Sequence, residues 1–470
     1  MSGMDISLEE PVFELITNSS AKMGLSSYLV GGYVRDQLLG RASKDIDILV
    51  LGSGIDLARA VARMAGQEKH LSIFKNFGTA MLRFKGIEVE FVGARKESYR
   101  ADSRKPIVEN GTLEDDLARR DFTINAMAIS LGKSPQLIDF YDGMKDLRLG
   151  ILRTPLEPGF TYSDDPLRMM RAIRFASQLN FVIEENSLKA IRVHRDRIKI
   201  VSRERLSDEL NKIIASNKPS IGFRLLFDTG LLELIFPEMA NLFGTETIQG
   251  KSHKDNFYHT LEVLDNVSMA SDNLWLRWAA ILHDIAKPLT KRFDPEIGWT
   301  FHGHEDKGAR MVSKIFRNLC LPLNEHMRFV EKLVLLHLRP IVLARDMVSD
   351  SAVRRLLFEA GDDIDDLMRL CHADVTTKNE YKAKKYRDNF ELVKRKLVDV
   401  EQRDNIRNWQ PPINGTDIME AFRLDAGPEV GLLKNFIRES ILEGDISNDR
   451  EQALLLLYKK GKDMGLTLYL

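Results

Sequence analysis

Residues 31–49 read GGYVRDQLLGRASKDIDIL, and this stretch constrains the chain more than any other. A Gly-Gly turn leads into an Arg-Asp pair and a helix-like run that stops at Gly40. Asp45 and Asp47 then stand two apart in an otherwise apolar strand. Successive strand side chains leave by opposite faces, so the two carboxylates project together while Ile46 and Ile48 turn to the core. Two carboxylates so placed can hold one or two Mg2+ ions, as metal-dependent phosphoryl transfer requires. Glycines admit a close backbone approach, and N–H groups at a helix start suit phosphate, so Gly31 and Gly32 are read as a phosphate-binding turn. Arg35, a turn further on, would add a charge-assisted contact. Alone, a Gly-Gly pair is an ordinary tight turn, and alone, Asp45 and Asp47 are a solvated strand edge; the spacing between them carries the functional reading. Glu88 and Glu90 alternate with Ile87, Val89 and Phe91, and Glu90 is taken as a third catalytic carboxylate. An exposed polar strand face is the other reading of that pair.

A chain of 470 residues exceeds one ordinary core, so roughly two to four domains are expected. The formal net charge is -1, so nucleic acid would have to be met by a local stripe of Lys and Arg. Cys320 and Cys371 give no disulfide framework and point to a reducing compartment. Nothing in the sequence reads as a membrane span, and MSGMDISLEE lacks the pattern of a signal peptide, so a cytoplasmic protein without an obligate protein partner is expected.

Periodicity predicts helices over 5–25, 34–39 and 56–65, strands over 28–30 and 45–51, and a hairpin of strands 79–84 and 87–92. The polar stretch 94–114 reads as a long functional loop. The α/β pattern ends near Gly150. Helices are expected over 166–178, 186–193, 203–215 and 219–228, with a boundary at Pro237. A His-rich helical segment covers about 253–376, and the rest is helical and charged. The expected fold is an α/β head, a small mixed sheet with helices, followed by an all-α neck, body and tail. The corresponding domains are 1–150, 151–240, 241–380 and 381–470.

The GGYVRDQLLG…DIDI stretch, together with Arg119-Arg120-Asp121-Phe122-Thr123-Ile124-Asn125-Ala126-Met127-Ala128, resembles the class II tRNA nucleotidyltransferase and bacterial poly(A) polymerase family. The resemblance covers about the first 230 residues. It implies a nucleotidyltransferase head with Mg2+ on Asp45 and Asp47, and a nucleotide sugar and phosphates on Arg120, Asp121 and Asn125. It also implies that 94–114 is the family's specificity-switching loop. Tyr162 to Arg171 (YSDDPLRMMR) resembles the motif in which a carboxylate and an arginine pair with the incoming base, which implies Asp165 and Arg168 as a protein template, with Arg171 beside them. An acceptor and a donor at i and i+3 suit C and A better than G and U. Pro166 at a first helical position would instead make Asp165 an N-cap. Val201 to Glu209 resembles the motif that buttresses the template helix. The basic run from Arg168 to Arg205 would track RNA phosphates.

Further on, His259, the doublet His283-Asp284, His302, His304, His337 and Asp374 resemble the HD phosphohydrolase domain. The resemblance implies His259, His283, Asp284 and Asp374 as metal ligands, His304 and His337 as ligands of a second ion, and Lys287 on phosphate. Imidazole and carboxylate suit Mn2+, Ni2+, Fe or Mg2+. An HD fold that keeps these residues without turnover is the alternative. The expected activity is addition of CCA to the tRNA 3′ acceptor end from CTP and ATP. Its rivals are a poly(A) polymerase, an enzyme adding only CC or only A, and a phosphohydrolase with a vestigial RNA-binding head. After the catalytic strand, Leu49 to Ile55 departs from the basic element of the polymerases.

Overall fold

The computed structural model describes residues 8, 10–43, 45–98, 107–343, 349–377, 379–404, 406–407 and 409–469. Its chain divides into two compact units, Met1–Ile235 and Phe236–Leu470. The expected α/β head followed by a helical body is what is found.

The first unit opens with α1 (Pro11–Met23), β1 (Ser26–Val30), α2 (Gly32–Leu38), β2 (Asp45–Leu51) and α3 (Gly54–Met64). Strands β3 (Leu71–Phe74), β4 (Thr79–Phe84) and β5 (Ile87–Gly93) follow, then a small antiparallel pair, β6 (Arg95–Ser98) and β7 (Ile107–Asn110). Helix α4 (Leu113–Ala118), β8 (Met127–Ser130), β9 (Leu137–Asp139) and α5 (Gly143–Leu149) complete the head. Seven strands form one sheet in the order β3-β4-β5-β2-β1-β8-β9. β2 is central, antiparallel to β1 and parallel to β5, and the register places Asp45 opposite Glu88 and Asp47 opposite Glu90. The apolar set Ile46, Ile48 and Val50 is buried on the face shared with α3, whose Leu57, Ala58 and Val61 are also buried. On the other face Leu49 joins Val30, Val92, Leu113, Leu117, Ala126 and Ala128 in one cluster, which holds α4 against the sheet.

The segment 94–114 is therefore not a plain loop. Residues 95–98 and 107–110 pair as β6 and β7, the connection between them, 99–106, lies outside the described residues, and Leu113 and Glu114 already belong to α4. The first helix is also shorter than expected, beginning at Pro11, where proline suits a helix start.

Helices α6 (Pro158–Asp164), α7 (Leu167–Leu179), α8 (Glu185–His194), α9 (Arg203–Ile214), α10 (Pro219–Asp228) and α11 (Leu231–Ile235) close the unit. α7 buries Met169, Met170, Ile173, Phe175 and Ala176 and packs on α9 and α10.

The second unit runs from α12 (Pro237–Ala240) through α13 (Asn256–Ala270), α14 (Leu274–Leu282), α15 (Lys287–Thr290), α16 (His304–Asn318) and α17 (Glu325–Leu336). It continues with α18 (Leu338–Leu343), α19 (Asp350–Ala360), α20 (Ile364–Ala373), α21 (Glu380–Asp404), α22 (Gly415–Phe422), α23 (Pro428–Glu443) and α24 (Arg450–Asp463). The His-rich segment is not wholly helical: Arg292–Asp294 pairs with Gly298–Thr300, and a further pair, Thr247–Ile248 with Lys251–Ser252, stands just before it. Among the described residues, no helix is long and apolar enough to cross a membrane.

Candidate active site and metal centre

The face of β2 that carries Leu49 also carries Asp45, exposed, and Asp47, partly buried, while Ile46 and Ile48 are buried on the opposite face. The parallel register of β5 sets Glu88 and Glu90 beside them on the same face. Glu88 is engaged by Arg83 at 2.8 Å across the β4–β5 hairpin. Glu90 is exposed and adds its charge to the field at Asp47. Asp47 is pushed up to about 6, by burial first and by Glu90 and Asp45 next, against the pull of Arg120. A buried carboxylate that resists ionising beside other acidic side chains fits a divalent cation, whose charge would reverse that penalty. Asp45, Asp47 and Glu90 do not form a preassembled cage, however: the groups that bring three ligand atoms within 4.8 Å of one another, among the described residues, all lie in the second unit.

The turn between β1 and α2 shapes the floor. Gly31 has φ 77°, a conformation that L side chains rarely adopt. A Cβ there would stand 2.9 Å from Asp47 Oδ2 and 3.0 Å from Arg120 Nη1. Gly31, Gly32 and Asp47 line a cleft of about 430 Å3 with Asn125, Asp121 and Asp165 and a set of arginines: Arg35, Arg119, Arg120, Arg168, Arg171, Arg174 and Arg205.

These side chains are locked to one another. Arg35 is buried; its guanidinium grips Asp36 at 2.9 and 2.8 Å and donates to Asn125 Oδ1 at 2.7 Å. Asn125 donates to Asp121 Oδ1 at 2.9 Å, and Arg171 donates to Asp121 Oδ2 at 2.7 Å. Burial alone would raise the Asp121 carboxyl, but Arg171, the Asn125 amide and Arg168 outweigh it and hold it down at about 2. Phe175, on α7, stacks against three guanidiniums, with Arg174, Arg35 and Arg171 at 4.0, 4.9 and 5.5 Å from its ring centre. Arg174 is anchored by the buried Glu209 of α9 at 2.6 Å.

Asp165 and Arg168 sit on the cleft wall. The helix begins at Leu167 with Pro166 as its N-cap residue, so Asp165 is not the N-cap. It nevertheless accepts the Leu167 N–H at 3.2 Å, and Arg205 approaches its other oxygen at 3.8 Å. Arg168 donates to the Arg119 carbonyl at 2.5 Å, which ties α7 to the RRD turn.

Sequence reasoning missed several members of this cleft. Arg119, Arg174 and Arg205 enter the sequence reading only as parts of a motif or a basic run, Glu209 only as part of a buttress, and Phe175 not at all. Asp116 was not singled out at all, although its offset of three and four from Arg119 and Arg120 is the spacing of a helical ion pair.

In the second unit, helix ends converge. His283, His337 and Asp374 are the C-cap residues of α14, α17 and α20, His304 opens α16, and His259 lies in the first turns of α13. His283, Asp284, His304 and His337 are buried. Three imidazoles spend Nδ1 on backbone carbonyls: His283 on Ala280 at 2.7 Å, His304 on Phe301 at 2.8 Å, and His337 on Val334 at 2.7 Å. His259 Nδ1 meets Thr376 Oγ1 at 3.1 Å. Every Nε2 therefore turns inward, the arrangement by which second-layer partners present a metal ligand. His259 Nε2 is 2.9 Å from Asp374 and 3.6 Å from Asp284. His283 Nε2 is 3.2 Å from Asp284 and 3.5 Å from Asp374, yet makes no well-directed hydrogen bond there. His304 Nε2 lies 3.3 Å from both Asp284 Oδ1 and His337 Nε2.

Two ligand triads result, His259–His283–Asp284 and Asp284–His304–His337, sharing Asp284. Burial works against a charged His283, but Asp284 and Asp374 prevail and push it up to about 10. His337, buried beside His283, falls to about 4. Both carboxylates are held below the usual range despite burial, Asp284 by His283 and Lys287, Asp374 by His259 and His283. So strong a call for positive charge, with a buried imidazole nitrogen lacking a directed partner, fits divalent cations. Lys287 lies 2.6 Å from Asp284 Oδ2. His302 is exposed and outside the cluster.

Residues 27–153 match the profile of the poly A polymerase head domain, 180–243 that of the probable RNA and SrmB-binding site of polymerase A, and 256–379 that of the HD domain. The chain is 31% identical to an A-adding tRNA nucleotidyltransferase of Deinococcus radiodurans, over 90% of this chain and 93% of that protein. It is 31% identical to a CC-adding tRNA nucleotidyltransferase of Thermus thermophilus, over 93% and 94% of the two. A multifunctional CCA protein of Shewanella frigidimarina is 31% identical over 76% of this chain and 86% of its own. In fold, the chain resembles the CCA-adding enzyme of Bacillus stearothermophilus in complex with CTP, with TM-score 0.66, 23% identity and coverage of 97% and 99%.

Proposed function

This chain belongs to the tRNA nucleotidyltransferase family, and from that premise we propose that it adds C, C and A to the 3′ end of tRNA from CTP and ATP. The observation that supports this reading is one cleft in which Asp47, the Gly31 turn and six arginines meet two further residues able to read a base, Asp165 and Arg168.

In this reading the triphosphate lies over the Gly31 turn, and Arg120, Asp121 and Asn125 hold its sugar and phosphates. Asp45 and Asp47, with Glu90 beside them, would hold Mg2+, which supplies charge neutralisation and a more acidic terminal hydroxyl when bound. The chain's own contribution is positioning and a fixed electrostatic field. The Arg35–Asn125–Asp121–Arg171 relay keeps the sugar-binding groups in place before the nucleotide arrives. Arg168, oriented by the Arg119 carbonyl, donates to the base, and Asp165 accepts from its exocyclic amine. C and A present that donor and acceptor pattern, whereas G and U do not. The domain division at 150, 240 and 380 belongs to the same proposal.

The relatives named for CC, A and CCA addition make the number of nucleotides added the point to test. A tRNA ending before CCA is offered CTP alone, ATP alone, and both, and product lengths are read. Two residues added with CTP and three with both are expected. An arrest after CC in the presence of both nucleotides, or a ladder of A residues, would replace the reading by a partial enzyme or a polymerase.

For the second unit we propose a phosphohydrolase acting on 2′-phosphates, cyclic 2′,3′-phosphates or nucleotides. The supporting observation is the inward Nε2 of four histidines around Asp284 and Asp374. Bound Mn2+, Ni2+, Fe or Mg2+ would supply a nucleophilic water and a Lewis acid. Lys287 is placed to meet a phosphate oxygen.

A further inference from the structure

Helix α4 carries a carboxylate that the account so far leaves without a role. Asp116 is fully buried. Its neighbours Leu113 and Leu117 pack with Leu49, which follows Asp47 on the same face of β2. Oδ1 of Asp116 accepts from Arg119 Nε at 3.0 Å and from Arg119 Nη2 at 2.6 Å, and its Oδ2 accepts from Arg120 Nη2 at 3.2 Å. One buried charge therefore grips both arginines of the RRD turn.

The two arginines lead to different parts of the cleft. The Arg119 carbonyl receives Arg168, the base-reading arginine. Arg120 Nη1 stands at the Gly31 turn next to Asp47 Oδ2. Arg120 lines the cleft, yet its Nε is buried and has no hydrogen-bond partner among the described residues.

We propose that Asp116 is a positioning residue, which holds the Arg120 guanidinium at the Gly31 turn where it meets the bound nucleotide and, through Arg119, sets Arg168. The proposal rests on the reading of this cleft as the nucleotide site. An arginine held by one buried carboxylate has a single orientation; without that charge it is free to collapse onto Asp47.

The test is a double-mutant cycle with D116N, R120K and the double variant, run on nucleotide addition and separately on equilibrium CTP binding. Folding is checked by thermal melting and by tRNA affinity. D116N is expected to raise the nucleotide KM about tenfold with a fall in kcat of less than about threefold, because a contact made in ground state and transition state alike is weakened. In the R120K background the same change is expected to add less than about twofold, since both substitutions break one linkage. An unchanged KM, or an equal loss in both backgrounds, overturns the proposal and leaves Asp116 as a structural ion pair. Should D116N fail to fold, D116E takes its place in the same cycle, with the same non-additivity expected and additivity as the contrary result. If the wild-type chain adds no nucleotide but the coupling persists in CTP binding, the reaction assigned above falls while the positioning role stands.

Discussion

Asp47 lies in an environment that resists its charge. Its carboxyl, pushed up to about 6 by burial and by its acidic neighbours, must be ionised to hold a cation. Protonation therefore competes with metal below that pH. Apparent Mg2+ affinity in the nucleotide-addition assay is expected to weaken by about tenfold per pH unit below about 6 and to level off above it. An affinity constant from pH 5 to 8 would speak against Asp47 as a ligand. Asp121 shows the opposite sign. Its folded value of about 2 lies below the roughly 3.9 of an unfolded aspartate. The stability it contributes, about 2 kcal/mol, is fully present above about pH 4 and is lost as pH falls toward about 2. Urea midpoints measured across that range are expected to drop more steeply for the wild type than for D121N. Parallel curves would show that Asp121 is not the group that titrates.

At the scale of elements, the central strand and the turn before it carry the site. Gly31→Ala would place a methyl against Asp47 and Arg120 in a left-handed backbone conformation. A loss of about 1–3 kcal/mol in stability and of most nucleotide addition is expected, while near-normal activity in this variant would remove the close approach from the argument. The strand Asp45–Leu51 was legible to its exact ends because alternation of Asp with Ile has one physical meaning. Helices α7 to α10 were legible to within a residue or two, each bounded by Pro, Gly or a polar break. The β6–β7 pair was not, because Arg95–Ser98 and Ile107–Asn110 show neither apolar alternation nor a short connection. Nor was the grip of Asp116 on two arginines, or of Glu209 on Arg174, since long-range charge pairing depends on which helices the core brings together. The helix ends that converge on Asp284 were legible as residues from the HD doublet; that Asp284 is shared by two triads emerged only from the fold.

At the scale of the whole molecule, a net charge of -1 conceals seven arginines concentrated in one cleft of the first unit and an acidic, histidine-lined centre in the second. The two activities proposed above fall on two different side-chain clusters, and substitutions separate them. His283→Ala is expected to abolish phosphate release from cyclic or 2′-phosphates while leaving nucleotide addition intact, and Asp45→Ala to do the reverse. Joint loss in either variant would join what the account keeps apart. The central claim remains that the carboxylate face of β2 performs nucleotidyl transfer, and the most direct measurement compares the wild type with D47N. Each is given tRNA lacking its 3′ CCA, CTP, ATP and Mg2+, with tRNA affinity measured alongside. The account predicts extension with one pyrophosphate released per nucleotide by the wild type, and none by D47N at unchanged tRNA affinity. Extension by D47N at the wild-type rate would contradict it.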